Sequence, residues 1–435
     1  MINPAFRSAL FSAQQPVWNI VDSLYQGTAA MRSAGKQFLI KNEKESETDY
    51  INRLNRSTLY NVYRKSIQQA VGRAFSSDII LEGYPGEITL FSQDVDCCGK
   101  DITQFSKSVF TDALHHGISY ILIDFPKQPD QPLTLADSIN LGHRPYWIHI
   151  TAPQVLAAYS MLEGGVMRLK HFRFQESFID VSENGLTEIA VEQVKSFDMK
   201  DSVVSFTVYR RDNQSDWIIY DEGVIAGLTE IPVVAVYTNR TGFFLGSPPL
   251  IDLAYQNLAW WNSASEQTWI THIARVPFLR ISGMGPAAPD EYGNPKEMEI
   301  SIHSVLTLPE GGTAEWVETN GNALAAGMED LKALEERMES LGLAMTTPKP
   351  GTITATETAV NAGESSSILR DYALACCDAL EQAIYFTSLF LGIKPADGSV
   401  SIDTSMTVDM AQTNTTTQPK SKTAVETNQN DTQGA

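Results

Sequence analysis

The chain has 435 residues, 43% of them hydrophobic, which is enough to bury a sizeable core and too many for a wholly disordered chain. It carries 52 acidic against 32 basic residues, a formal net charge of −20. That balance argues against a general duplex-DNA binder, whose grip comes from Lys and Arg, and against docking on an anionic membrane.

The N-terminal stretch lacks the continuous apolar core of a signal peptide, and no apolar run approaches the ~18 residues of a membrane span. The chain therefore reads as soluble and intracellular. Its cysteines form two adjacent pairs, Cys97-Cys98 and Cys376-Cys377. They fit neither a disulfide framework nor the C-x-x-C spacing of a zinc site, and read as free thiols in a reducing cytoplasm.

Residues 1–45 show no strong period. Residues 49–75 predict one helix, with Asp49 as its cap and Ile51, Leu54, Leu59, Val62, Ile67 and Val71 in an apolar stripe. Between Tyr50 and Ser77 lie Arg53, Arg56, Arg64, Lys65 and Arg73 with no acidic residue, the one basic island of the chain. A solvated face or a subunit contact is the first reading of that island, ahead of direct DNA contact. Residues 101–117 predict an amphipathic helix, 120–126 a short buried strand stopped by Pro126, and 127–145 a proline-rich loop.

From 146 to 237 the period shifts towards two. Strands are expected at 146–151, 167–178, 203–210, 216–221 and 232–238, an antiparallel β domain embedded in a helical chain. The fold class is α+β. Ser247-Pro248-Pro249 then predicts the cap and first turn of a long helix reaching Pro277. Its Trp260, Trp261 and Trp269 read as core or subunit packing. Residues 283–298 are loop, and 299–308 and 314–318 short strands. Residues 323–343 predict a helix with Leu324, Met328, Leu331, Leu334, Met338 and Leu341 in a stripe. A loop over Thr346–Thr352, a helix over 357–392 and a disordered polar tail over 412–435 complete the chain.

Chemical motifs fail. No P-loop exists, because Gly99-Lys100 is followed by Asp101, and Gly283-Met284-Gly285 runs into Pro286 where a dinucleotide-binding helix would have to open. Neither G-x-S-x-G nor H-E-x-x-H occurs. His115 and His116 are adjacent, point about 100° apart on a helix, and read as ordinary surface or boundary histidines unsuited to sharing a metal. No catalytic residue, cofactor or metal is expected. Charge distribution says more. Residues 310–391 hold 13 acidic and four basic residues, a net of −9.

The order of elements resembles the portal proteins of tailed double-stranded DNA bacteriophages, in a portal-like subfamily. The resemblance rests on Asp49 to Phe75, on Gly99 to Pro126 with its Gly117-Ile118-Ser119-Tyr120 end, and on Arg144-Pro145-Tyr146-Trp147. Its most specific stretch runs from Glu230-Ile231-Pro232 through Pro248-Pro249-Leu250-Ile251-Asp252-Leu253-Ala254 and Asn257-Leu258 to Val276-Pro277.

The resemblance implies a portal fold in a homo-oligomeric ring, usually of twelve, around a central tunnel. The wing would span 1–245, its antiparallel β part starting at about 146. The first stem helix would be 246–276, a small clip insertion 277–322 and the second stem helix 323–345. The tunnel loop would be 346–356 and a long wing helix 357–393, with a minimal crown remnant at 394–411 before the tail.

The resemblance further implies a non-enzymatic pore at one capsid vertex of a virion, assembled in the host cytoplasm. The pore would be a conduit for DNA packaging and ejection. Its partners would be the terminase large subunit as packaging motor, a head-tail adaptor, the major capsid or a scaffold protein, and double-stranded DNA in transit, with no membrane. Glu329, Glu336 and Glu339 would line the channel and repel phosphate. Thr346, Thr347, Lys349, Thr352 and Thr354 would face DNA from the tunnel loop, and Trp260, Trp261 and Trp269 would pack subunits together. Two alternatives are an acidic cytoplasmic hydrolase with a β domain and helical insertions, and a head–tail adaptor, for which the chain is long.

Overall fold

The first helix, α1 (Ala9–Gln26), forms where the sequence shows no period. Pro16 interrupts its pattern, yet Phe11, Trp18, Val21 and Leu24 all bury. The computed structural model describes residues 3–126, 143–181, 184–211, 216–275, 278–282, 311–317, 322–343 and 355–402. All of these lie in the unit Met1–Thr404.

After α2 (Thr28–Ala34), the single helix expected over 49–75 is two: α3 (Glu47–Arg56) and α4 (Val62–Ala74). Ser46, not Asp49, caps α3, its hydroxyl accepting the Asp49 N–H at 3.0 Å. The break is built by short polar side chains that bond to nearby backbone groups. The Ser57 hydroxyl donates to Arg53 O at 2.8 Å, and Asn61 caps α4 by accepting the Arg64 N–H at 2.9 Å.

Past β1 (Ile80–Glu82) and α5 (Gly86–Phe91), α6 (Ile102–His116) starts at the Asp101 cap, which accepts the Gln104 N–H at 2.7 Å. It stops at Gly117, whose φ of 86° favours glycine. A side chain there would also collide with another segment, since a Cβ on Gly117 would lie 2.1 Å from Ser247 O.

The chain then runs through β2 (Ile118–Asp124) and β3 (Tyr146–Thr151) into the strands β4 (Val155–Glu163), β5 (Val166–Val181), β6 (Glu188–Lys200), β7 (Val203–Arg211) and β8 (Trp217–Ile225). It returns through β9 (Val233–Tyr237). Strands β4 to β8 form an antiparallel meander in sequence order. Strands β3, β2 and β9 form a separate three-stranded sheet with β2 central, where Ile121 faces His149 on one side and Val234 on the other. The single β domain of the sequence reading is thus two sheets, and β4 and β6 are additions to it.

Strands β10 (Arg240–Gly242) and β11 (Leu245–Gly246) lead into α7 (Ile251–Ala274). Ser247 stands four residues before that helix rather than at its cap. There follow β12 (Phe278–Ser282), its antiparallel partner β13 (Thr313–Val317), α8 (Asn322–Leu343), the 36-residue α9 (Ala355–Phe390), and β14 (Ser399–Ser401). Helices α6 and α9 pack on the three-stranded sheet, and Trp147 Nε1 on β3 donates to Thr387 Oγ1 on α9 at 2.8 Å. Strand β14, in the expected crown remnant, pairs with β1. The expected strand 299–308, the loop 283–298 and the tail 412–435 lie outside the described residues.

His115 and His116 correct the sequence reading. Both are buried, and their rings lie 4.2 Å apart. Backbone divergence at the last turn of α6 is overcome by ring length, because both Nε2 atoms reach the same oxygen of Asp22 on α1, at 2.9 and 3.0 Å. His116 Nδ1 also meets Asp112 Oδ1 at 2.7 Å. Burial disfavours the charged form of His116, but the two carboxylates prevail and raise its pKa to about 9. For His115 burial wins and its pKa falls below the ordinary value.

Candidate functional site

The helices named for the stem, α7 and α8, lie antiparallel. As residue numbers rise on one helix, their partners fall on the other. Trp260 Nε1 donates to Glu335 at 3.0 Å, Ser263 Oγ to Asp330 at 3.3 Å, and Gln267 Nε2 to Leu324 O at 2.9 Å. Gly327 makes room for that last contact, as a Cβ there would lie 2.1 Å from Gln267 Oε1. The ribbon β12–β13 belongs to the segment between the two helices, and Arg280 pairs with Glu315 across it at 3.2 Å.

The first half of α7 is anchored in the N-terminal helices. Leu253, Ala254, Asn257, Trp261 and Ser265 recur every one to four residues and are buried. Asn257 accepts the Tyr63 N–H at 3.1 Å and donates to Tyr60 O at 2.9 Å, satisfying backbone groups at the α3–α4 break. Asn262 accepts the Ile40 N–H and donates to Phe38 O, both at 3.0 Å.

Arg53 is 2% exposed. Its guanidinium holds Glu45 at 2.7 and 2.8 Å, Ile40 O at 2.6 Å and Ser265 Oγ at 2.7 Å. This residue of the basic island is therefore a fastener between α3 and α7. Arg56 lies over the Trp269 ring, 5.8 Å from its centroid, while Lys65 is exposed. Glu45, held chiefly by its hydrogen bond to Arg53, has a pKa below the usual carboxylate range.

The expected packing role of the tryptophans narrows. Trp261 is fully buried within its own chain, out of reach of a neighbouring copy. Trp260 and Trp269 are half-buried, and Trp260 lies against Tyr60 at 5.7 Å.

On α8, Leu334 and Met338 are buried but Met328 is 65% exposed, leaving the predicted stripe. Glu329, Glu336 and Glu339 are all exposed. Residues 329 and 336 are seven apart, so they share one face, with Lys332 and Glu339 flanking it. Glu339 accepts a hydrogen bond from the Tyr60 hydroxyl at 3.3 Å. Thr346, Thr347, Lys349, Thr352 and Thr354 lie outside the described residues, as does most of the segment named as the clip.

A cavity of about 320 Å³ lies beside β5 and β9. Among the described residues Glu230 is the one carboxylate lining it, and it is paired with Arg168. No pair of carboxylates converges there. Asparagines and the buried arginine, rather than the aromatic residues, carry the polar contacts that seat α7. Sequence patterns could not single them out, because the asparagines' partners are backbone atoms some 200 residues away and Arg53 reaches α7 through a serine hydroxyl equally distant in the chain.

Residues 249–391 match the model of a family described as a domain of unknown function, DUF4055. That stretch holds α7, α8 and α9. No curated protein matches the chain. Among the solved structures similar to it over most of its length are two from gene transfer agent particles. One is titled "Virion of native gene transfer agent (GTA) particle", with 13% identity, a TM-score of 0.40 and coverage of 79% of this chain and 80% of that one. The other is "Neck of empty GTA particle computed with C6 symmetry", with 12% identity, a TM-score of 0.41 and coverage of 79% and 81%. Likeness at this level leaves the assignment to the residues themselves. Among the described residues no helix is long and apolar enough to cross a membrane.

Proposed function

We propose that the chain is the portal-type subunit of a virion: one segment of a ring-shaped pore through which DNA enters and leaves a capsid. The observation that carries the reading is the connectivity from 251 to 390. An anchored helix, a β ribbon, an antiparallel return helix and a 36-residue helix packed on the three-stranded sheet follow one another, which supports a reading as two stem helices around a clip. The acidic face of α8 fits a tunnel wall. Carboxylates facing a lumen repel phosphate and let DNA slide, a field effect that requires many copies arranged around one axis. Lys349 would add one positive charge per subunit at the loop. The chain would hydrolyse nothing, and an ATP-driven motor would dock on the clip.

A ring closes by one heterologous contact repeated around an axis, so the native mass tests the reading. Twelve chains of 48.0 kDa make about 576 kDa. Mass photometry of the full chain, alone and with its capsid scaffold, is expected to show a discrete peak there or one subunit to either side. A species of one or two chains that persists under both conditions would overturn the proposal.

A further inference from the structure

The convergence of α1 and α6 at Asp22, His115 and His116 lies outside the pore-forming parts named above. One carboxylate oxygen and two imidazole nitrogens lie within 4.8 Å of one another. From these positions we propose a zinc site, with Asp22 Oδ1, His115 Nε2 and His116 Nε2 as protein ligands and water in the fourth position.

Three features favour a metal over a simple hydrogen-bonded cluster. The first is spacing. Ligand atoms of a tetrahedral zinc site with bonds near 2.0 Å stand about 3.3 Å apart. The carboxylate oxygen is already 2.9 and 3.0 Å from the two nitrogens, within a few tenths of an ångström of that spacing, and all three atoms lie within 4.8 Å of one another.

The second is the outer shell. A metal-bound histidine usually gives its other ring N–H to a carboxylate or another acceptor, which fixes the tautomer. His116 Nδ1 has Asp112 at 2.7 Å. His115 Nδ1 has the Tyr63 hydroxyl oxygen at 3.2 Å, and that hydroxyl can in turn donate to His115 O, also at 3.2 Å. Both histidines are thus supplied with the partner that leaves Nε2 free to bind a metal.

The third is charge. Asp22 and Asp112 bring two carboxylates to a buried junction, where they face His115, His116 and, at 3.5 Å from Asp112 Oδ2, His149. A divalent cation with two neutral imidazoles brings the sum to zero. Nitrogen and carboxylate donors with an open fourth position suit zinc, and the Asp22 side chain, about one-third exposed, gives an entry path. Bound zinc would fasten α1 to the end of α6, where β2 begins.

The test uses the full chain, stripped with a chelator, reloaded with zinc chloride and desalted. Elemental analysis is expected to give one zinc per chain, and the melting temperature is expected to rise with zinc concentration. X-ray absorption at the zinc edge should show nitrogen and oxygen neighbours with two imidazoles and no sulfur. Asp22→Asn should abolish stoichiometric zinc while the metal-free variant still folds. The double variant Cys97→Ser/Cys98→Ser should keep the metal. A wild-type chain that holds no zinc after desalting overturns the site. So does a sulfur-containing shell, or an Asp22→Asn variant that folds and retains one zinc. The absorption measurement needs no variant, so a misfolded mutant leaves the test intact.

Discussion

The Arg53–Glu45 pair that α3 closes on and the carboxylates of α8 behave in opposite ways. Arg53 and Glu45 are sequestered, and every group on the guanidinium is matched to a fixed acceptor. Glu329, Glu336 and Glu339 are open to water. A buried charge acts over one bond length and holds two helices in register. An exposed one contributes little to folding and acts through the field it adds to. The lesson is that the basic island and the acidic face cannot be weighed by counting charge. Enclosure decides which of them shapes the chain and which could shape what passes by it.

The largest effect should come from the apolar anchor of the same α7 seat. Trp261→Ala is expected to cost about 3–5 kcal/mol in urea unfolding. Trp261→Phe should cost less, because the indole N–H finds no partner among the described residues. Equal losses for the two variants would mean that shape rather than burial secures α7.

Next comes the buried pair itself. Arg53→Met strands the Glu45 carboxylate and should lower stability by about 3 kcal/mol, with Arg53→Met/Glu45→Leu recovering part of the loss. Its pH dependence has a definite sign. The folded pKa of Glu45 is depressed, so the pair's stabilisation is present above the unfolded carboxylate pKa of about 4.3 and fades as pH falls through the lower folded value. Acid titration of Arg53→Met by circular dichroism should lack that part of the slope. An unchanged slope would show that Glu45 is not held by Arg53.

The smallest effect on folding is expected on α8. Glu336→Lys should change stability by less than about 0.5 kcal/mol. It should leave native mass unchanged yet alter DNA packaging or retention in assembled particles. Loss of the assembly instead would place Glu336 at a subunit contact and sink the lumen assignment.

Helix α6 was legible because both its ends are chemically marked, by Asp101 and by Gly117. Helix α1 was not, since Pro16 and its polar neighbours blur a stripe that only tertiary burial makes real. Strand β4 reads VLAAYSMLE, rich in helix formers, and its pairing with β5 overrides that preference. The α3–α4 break lacks Gly and Pro, and its signal, Asn61, is an ordinary cap residue in an otherwise helical run. The exposed faces of α8 followed from spacing alone, apart from Met328 and Leu341. The histidine cluster did not, because its third member lies 93 residues before the first histidine on another helix. Periodicity describes one element at a time and is silent about what two elements bring together.

The pairing of β2 has a consequence for the order in which the chain folds. Its partner β3 begins about two dozen residues after β2 ends, but β9 arrives only after the whole five-stranded meander has been made. Local hairpins close quickly, whereas a pairing across more than a hundred residues must first meet the entropy of a long loop. Strands β4 to β8 therefore have the connectivity of an early-forming unit. Their collapse replaces a long flexible loop by a compact sheet and so shortens the effective loop that β9 must close. The central sheet, and with it the Gly117–Ser247 contact that launches α7, would then be the late, rate-setting event of folding.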